Sequence, residues 1–377
     1  MPGELELMLD PNGDEIKLTW HKGNGPWSRP LKLPSALLSH RSRDLRAALG
    51  ALNAYVRSNH DLMEERDPGW QNYRGALKDL QQHGAALYNA LFDDSDLRAQ
   101  ALSQALQSLD DGAELRVHCS DEVVSLPLGF VFEGDPLPLS GRPSRADFAG
   151  FWLNRFNITM LVRGGGVEQD FLGVDPQSLR ALYALHRTEV EDAWPHLGED
   201  SARLKRLTGL PVKDYYDWDS ARQACASICD ADTIVFILAH SDGDWLELAN
   251  KSKIDCQSFA RMLHKGRRES HPVLLVLNCC LSATGGEGRS LLSAIAQPGF
   301  CGLIGTEAEI LNSYALRCGT RLMWELCANG LTLGEAFDRM QRAEDLFPLN
   351  LFYTCYAERD FRLNSPIDEL QQQLEAA

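Results

Sequence analysis

Apolar and polar positions alternate with a period of two at the start of the chain. The apolar members of the two alternating segments are Leu5, Leu7, Leu9, Ile16, Leu18 and Trp20. The turn-forming sequence Pro11–Gly13 lies between these segments. Alternation on both sides of a short turn predicts a β-hairpin with one buried face.

The apolar period becomes helical between about residue 34 and residue 109. Leu45, Leu49, Leu52 and Val56 recur three or four positions apart, which predicts an amphipathic helix over 39–56. Similar patterns over 70–92 and 95–109 predict further helices that pack together against the hairpin. We therefore expect an N-terminal region, residues 1–110, built from a β-hairpin and helices.

Beyond residue 110 the pattern switches between apolar runs and helical periods. The predicted strands are 114–118, 123–128, 151–152, 157–163, 212–216, 233–239, 273–278, 301–306, 351–353 and 361–363. The predicted helices are 178–193, 220–229, 256–263, 290–297, 314–328 and 332–344. Such alternation predicts an α/β domain over 111–366, a mostly parallel sheet flanked by helices on both faces (an α/β/α sandwich), with a tail over 367–377.

Two of the apolar runs end in side chains that can carry chemistry. The run 273–278 is followed by Cys279 and Cys280, and the run 233–239 is followed by His240. One crossover helix separates the runs, so we expect neighbouring parallel strands, about 5 Å apart, whose carboxyl ends lie at one sheet edge. A histidine that takes the proton of a cysteine is a common way to make a nucleophilic thiolate, and the arrangement predicts a Cys-His dyad.

The segments around this pair resemble a known family. The segment 234–240, the block 274–280 and the strand-helix unit that opens at 302–305 are similar to the CHAT family of caspase-like cysteine peptidases. This family belongs to the clan of caspases, metacaspases, separase and gingipain. The resemblance runs from about Leu115 to Leu363. It implies a caspase-like fold, a peptidase activity and no metal or organic cofactor.

The resemblance also assigns roles to individual residues. The family's histidine falls on His240 and its cysteine on Cys280, which leaves Cys279 as a structural thiol. Backbone N–H groups near Cys280 and in the loop of Ser241 and Gly243 are expected to hold the oxyanion. Relatives usually carry glycine directly after the histidine, where this chain has Ser241.

Substrate selection is less determined by the sequence. Metacaspase-like relatives use an aspartate two positions before the cysteine to bind a basic P1 side chain, and this chain has Asn278 there. Acidic residues of nearby loops are alternative candidates for an S1 wall. These candidates are Asp242, Asp244, Glu307 and Glu309.

Composition and charge narrow the classes of partner. The 377 residues include 37 Lys and Arg against 53 Asp and Glu, a net charge of −16, which disfavours nucleic acid and anionic membrane surfaces as direct partners. No apolar run approaches a membrane span, and the acidic amino terminus is unlike a signal sequence, so we expect a cytoplasmic protein with reduced thiols.

No metal site is predicted. Glu189 and Glu191, near the start of a helix, are expected to be solvated rather than catalytic.

The first functional hypothesis is a caspase-like cysteine endopeptidase that cleaves a specific partner protein. By family analogy the partner would be a companion effector, such as a gasdermin-like pore former in bacterial antiviral defence. The second hypothesis is a catalytically inactive interaction module with the same fold. A third is a small-molecule hydrolase or a nucleotide-binding α/β protein. The number of copies that assemble is not determined.

Overall fold

The computed structural model describes most of the chain and divides it into two compact units. The described residues are 5–58, 70–92, 95–120, 126–134, 144–163, 180–185, 187–208, 213–215, 218–219, 223, 233–247, 251–264, 273–284, 291–292 and 299–363. The first unit comprises Met1–Leu161 with Glu307–Glu309, and the second comprises Val162–Thr306 with Ile310–Ala377. The predicted tail, 367–377, lies outside the described residues.

The first unit is built on a five-stranded sheet. Its strands are β1 (Leu5–Asn12), β2 (Glu15–Lys22), β3 (Leu31–Pro34), β4 (Ala113–Ser120) and β5 (Phe156–Arg163), in the order β3-β2-β1-β4-β5. Strands β1 and β2 form the predicted hairpin, with Leu9 paired to Leu18 and Gly13 in the left-handed conformation at the turn. Strand β4 joins β1 in parallel, so the sequence-based division at residue 110 separates strands that share this sheet.

Helices cover the apolar face of this sheet. They are α1 (Ser35–Ser58), α2 (Trp70–Leu91), α3 (Leu97–Gln107) and the short α4 (Trp152–Arg155). Helix α1 packs against α2, and Leu45, Leu49, Leu52 and Val56 are fully buried, as their spacing predicts. The strand predicted at 151–152 is an isolated bridge between Phe132 and Phe151, after which α4 begins.

The second unit is built on a six-stranded, mostly parallel sheet. The strands of this unit are β6 (Arg180–Leu185), β7 (Lys213–Tyr215), β8 (Thr233–Leu238), β9 (His240–Ser241), β10 (Trp245–Glu247), β11 (Lys253–Asp255), β12 (Val273–Asn278), β13 (Phe300–Thr306) and β14 (Tyr353–Ala357). The large sheet has the order β14-β13-β12-β8-β6-β7, in which β14 alone runs antiparallel to its neighbour. Strands β9, β10 and β11 form a small antiparallel sheet. The predicted α/β fold class is confirmed.

Helices flank the large sheet, and one ion-pair cluster joins two of them. The helices are α5 (Arg187–Ala193), α6 (Asp200–Thr208), α7 (Cys256–His264), α8 (Asn312–Cys327) and α9 (Leu333–Gln341). Asp200, the fully buried first residue of α6, accepts hydrogen bonds from Arg317 and Arg321 on α8. Removal of one partner of such a buried pair is costly, so the cluster holds α6 and α8 together. Among the helices that the structure describes, none has both the length and the apolar character required to cross a bilayer.

The prediction of one helix over 178–193 is wrong. Residues 180–185 form strand β6, which pairs in parallel with β8, and only residues 187–193 are helical. A short apolar run such as 181–185 fits a buried strand and a helix equally well, and its pairing with β8 decides between them. Most of the predicted helix 220–229 and most of the predicted helix 290–297 lie outside the described residues, as does the first part of the predicted strand 123–128.

Two glycines of helix α2 provide a matched test of the packing in the first unit. A Cβ added at Gly84 would lie 2.5 Å from the carbonyl oxygen of Phe130 and 2.8 Å from the Phe132 Cβ, whereas one added at Gly75 meets nothing within 4 Å. We expect Gly84→Ala to lower the free energy of unfolding by about 1–3 kcal/mol through overpacking. Gly75→Ala should raise it by about 0.5–1 kcal/mol through helix propensity. Urea denaturation measures both, and equal effects of the two substitutions would contradict this packing.

Candidate functional site

Two neighbouring parallel strands end at the residues that the sequence marks as reactive. Strand β8 pairs with β12 in continuous register from Thr233 opposite Val273 to Leu238 opposite Asn278. His240 and Cys280 each follow the last pair by two residues. The predicted adjacency of the two strands is therefore confirmed, and both residues leave the sheet at its carboxyl edge.

The loops that follow His240 and Cys280 touch each other. Gly243 adopts a left-handed backbone with φ of 96°, and a Cβ at this position would lie 3.2 Å from Thr284 Oγ1 and 3.8 Å from the Leu281 Cβ. Cys256, at the start of α7, donates its thiol hydrogen to the Gly243 carbonyl at 3.4 Å and its N–H to the Asp244 carbonyl at 3.1 Å. The first residue of helix α7 thus holds the loop that follows His240 in place.

The imidazole of His240 is half exposed and has an acidic partner. Its Nε2 lies 3.0 Å from Oε1 of Glu189, and the other carboxylate oxygen of Glu189 accepts a hydrogen bond from the Asn312 side-chain amide. The expectation that Glu189 is solvated is therefore wrong. Glu189 could not be linked to His240 from the sequence because β6 was not predicted. Since β6 lies beside β8, the helix that follows β6 begins at the same sheet edge as His240.

The two adjacent cysteines lie in different environments. Cys279 is 1% exposed, and burial raises the pKa of its thiol well above the ordinary value. Its Sγ lies 3.9 Å from the Ile237 carbonyl oxygen on β8. Cys280 is less buried, and its Sγ lies 3.8 Å from the carbonyl oxygen of Ile310. A buried, protonated thiol is inert, so this difference favours Cys280 as the nucleophile.

Of the other cysteines that the structure describes, Cys301 is partly exposed, as Cys280 is, and the rest are buried. All the cysteines that the structure describes are free, and most are buried. Burial raises the pKa of the Cys256 thiol to about 12 and that of the Cys355 thiol to about 11. These thiols stay protonated near neutral pH and serve as small apolar groups.

The turn after Cys280 has a strained backbone that hydroxyl groups hold in place. Leu281 adopts a left-handed φ of 56°, a conformation that costs a non-glycine residue about 1–2 kcal/mol. Thr284 donates its hydroxyl to the Leu281 carbonyl at 2.7 Å. Thr306 on β13 donates its hydroxyl to the Cys279 carbonyl at 2.7 Å, and its N–H to Ser282 Oγ at 3.0 Å. These bonds fix the direction in which the chain leaves β12.

The predicted oxyanion donors are arranged differently from the expectation. The N–H of Gly243 donates to Ser241 Oγ at 3.0 Å. In this structure the predicted oxyanion donor is therefore already hydrogen-bonded within its own loop. Gly243 contributes through its lack of a Cβ, which allows the close contact with Thr284. The Cys280 N–H, at the turn after β12, stays a predicted donor.

Two of the predicted S1 residues are buried. Asn278 is 1% exposed, accepts a hydrogen bond from the Tyr353 hydroxyl at 2.8 Å, and packs so closely on α8 that a Cβ at Gly319 would lie 2.3 Å from its amide. Glu307 is fully buried in the first unit and accepts hydrogen bonds from Nε and Nη2 of Arg46. Both side chains are thus part of the packed interior of their units.

The remaining S1 candidates are exposed. Asp242 accepts the N–H groups of Asp244 and Trp245 through Oδ1, at 3.1 and 3.0 Å, and so shapes the turn between β9 and β10. Asp244 is exposed in the same turn, and Glu309 is exposed in the first unit. Within the described part of the chain, no three His, Cys, Asp or Glu side chains are grouped so that they could hold a metal ion.

Comparison with solved structures finds the same fold in chains of very different sequence. The crystal structure of the Saccharomyces cerevisiae separase-securin complex at 3.0 angstrom resolution contains a chain that matches with a TM-score of 0.52 and 8% identity, over 96% of this chain and 30% of that chain. The structure of the same complex at 2.6 angstrom resolution gives a TM-score of 0.50 and 8% identity, over 95% of this chain and 30% of that chain. The fold is separase-like. No family model matches the sequence, and no curated protein matches it.

Substitution of Thr306 tests whether its hydroxyl holds the turn after Cys280. Thr306→Val keeps the side-chain shape but leaves the buried Cys279 carbonyl without its donor, so we expect a loss of about 1–2 kcal/mol in the free energy of unfolding. Thr306→Ser retains the hydroxyl and should lose less than half of that. Urea denaturation compares the two variants, and a Thr306→Val variant that is as stable as the wild type would show that the hydroxyl does not hold this turn.

Proposed function

We propose that this chain is a caspase-like cysteine endopeptidase of CHAT type, with Cys280 as nucleophile and His240 as general base. The observation that carries the proposal is the continuous β8–β12 register, from which both residues leave the same edge of a separase-like fold two residues after the last pair. The contact between the loop of Gly243 and that of Thr284 supports it. The environment of Cys279 supports the choice of Cys280.

The proposed reaction needs only groups of the chain and water. His240 takes the proton of the Cys280 thiol, and the thiolate attacks a peptide carbonyl to form a tetrahedral oxyanion that backbone N–H groups stabilise. His240 then gives the proton to the leaving amine as the C–N bond breaks, which leaves a thioester on Cys280. A water molecule hydrolyses this thioester and releases the second product.

The proposed substrate is a specific partner protein. From the CHAT resemblance we infer a companion effector, such as a gasdermin-like pore former in bacterial antiviral defence. The exposed carboxylate of Asp244, four residues after His240, supports a preference for Lys or Arg at P1. A catalytically inactive interaction module with the same fold is the second candidate, and it predicts a thiol at Cys280 that is no more reactive than an ordinary one.

Labelling with peptidyl acyloxymethyl ketones that carry Lys, Arg or Asp at P1 separates these two candidates. We expect a covalent adduct on Cys280, lost in Cys280→Ala and retained in Cys279→Ala, measured by mass spectrometry of the digested protein. Loss of the adduct in Cys279→Ala alone would show that the assigned nucleophile is wrong. No labelling with any of the probes, in a protein that is folded by circular dichroism, would favour the interaction module.

Removal of the base tests the role of His240 independently. Because a positioned general base contributes about 10²–10⁴-fold, His240→Ala should lower the rate of labelling by that factor and leave the urea midpoint nearly unchanged, since the ring is half exposed. The exposed His196 offers a matched control, and His196→Ala should keep the wild-type rate within about twofold. A fully reactive His240→Ala variant would contradict the proposed base.

A further inference from the structure

Glu189 is placed where it can act on Cys280 through His240. It lies on helix α5, directly after β6, and β6 is the strand next to β8 on the side opposite β12. Three neighbouring parallel strands therefore lead in order to Cys280, His240 and Glu189. Glu189 Oε1 lies 3.0 Å from His240 Nε2, and the side chain of Glu189 is 20% exposed.

We propose that Glu189 is a positioning residue that completes a relay with His240 and Cys280; this inference rests on the proposed peptidase function. A carboxylate can only accept, so Nε2 of His240 must carry the hydrogen of that bond. In the neutral imidazole the lone pair then lies on Nδ1, which makes Nδ1 the atom that takes the thiol proton. The S–H bond of Cys280 breaks, an N–H bond forms at Nδ1, and Glu189 keeps its charge beside the resulting imidazolium.

The orientation of the Glu189 carboxylate is set by the segment that also contacts the thiol. Asn312, the first residue of α8, donates its side-chain amide to the second oxygen of Glu189. Ile310, two residues earlier, accepts the hydrogen bond of the Cys280 thiol. The segment from Ile310 to the first residue of α8 thus contacts both ends of the proposed relay, and the pairs between Asp200 and Arg317 and Arg321 hold this helix.

The contribution of Glu189 lies in orientation and charge rather than in stability. The imidazole is 49% exposed, and an ion pair at such a site adds little to the free energy of folding. Its effect on the reaction is larger, because outer partners that fix the tautomer of a functional histidine are worth about 10- to 100-fold in metal sites. We therefore expect reactivity to fall in Glu189 variants while the urea midpoint stays unchanged.

The test measures the rate at which iodoacetamide alkylates Cys280 in the folded full chain, by mass spectrometry of the peptide that contains it. Glu189→Gln should lower this rate by about tenfold at neutral pH, because the imidazolium loses its counter-charge. If Glu189 is merely a negative charge near the Cys280 sulfur, its removal would favour the thiolate, and the alkylation rate should rise rather than fall. Glu191→Gln, on the exposed side of the same helix, is the matched control and should keep the rate within about twofold.

A double variant shows whether Glu189 acts through His240. In the His240→Ala background, Glu189→Gln should have no further effect, because the group through which it acts is gone. The ¹⁵N spectrum of the imidazole adds a direct signature: wild type should show the tautomer with hydrogen on Nε2, and Glu189→Ala should shift the population toward the other tautomer.

The outcomes separate the relay from the peptidase proposal. A normal alkylation rate in His240→Ala would overturn the Cys-His dyad and the relay with it. A slow His240→Ala variant beside an unchanged or faster Glu189→Gln variant would overturn the relay alone. An equal loss from Glu189→Gln in the wild-type and His240→Ala backgrounds would also overturn it, because Glu189 would then act without the histidine.

Discussion

The in-register pairing of β8 with β12 is the constraint on which the site depends. Six residues of each strand are paired, and Ile234–Leu238 and Val273–Leu277 are almost completely buried. A slip of one residue would turn every side chain of a strand to the other face, where it would meet a packed interior shaped for a different side chain, and such misfits typically cost about 1–3 kcal/mol each. The buried core therefore determines that His240 and Cys280 leave the sheet at equivalent positions.

Beyond the sheet edge, the backbone of the two loops is held by hydrogen bonds rather than by burial of apolar side chains. The turn after Cys280 contains the left-handed Leu281, and the hydroxyl groups of Thr284 and Thr306 donate to the carbonyls of Leu281 and Cys279. The loop after His240 is organised by Ser241 and Asp242, whose side chains accept the N–H groups of their own turn. Such contacts suit a site that must keep its backbone groups in fixed directions while its reactive side chains remain accessible.

Much of this arrangement could be predicted from the sequence, and the omissions have physical causes. The hairpin and helix α1 have apolar periods that are unambiguous, and the strands before His240 and Cys280 are unbroken apolar runs that contain Val and Ile, residues that favour strands. Strand β6 was missed because a short apolar run fits a helix and a buried strand alike. Without β6 the proximity of Glu189 to His240 could not be predicted, because that proximity depends on β6 lying beside β8. The burial of Asn278 depends on Gly319 and Tyr353, distant in sequence, so no local pattern could reveal it.

The adjacency of thiol and imidazole is decided by a crystal structure of the full chain inactivated with a peptidyl acyloxymethyl ketone. The geometry of the two strand ends predicts a thioether at Cys280 Sγ, with Nδ1 of His240 within about 4 Å of that sulfur and Nε2 still bound to Glu189. A thioether on another cysteine, or an imidazole directed away from the modified sulfur, would contradict the assignment of this sheet edge as the active site.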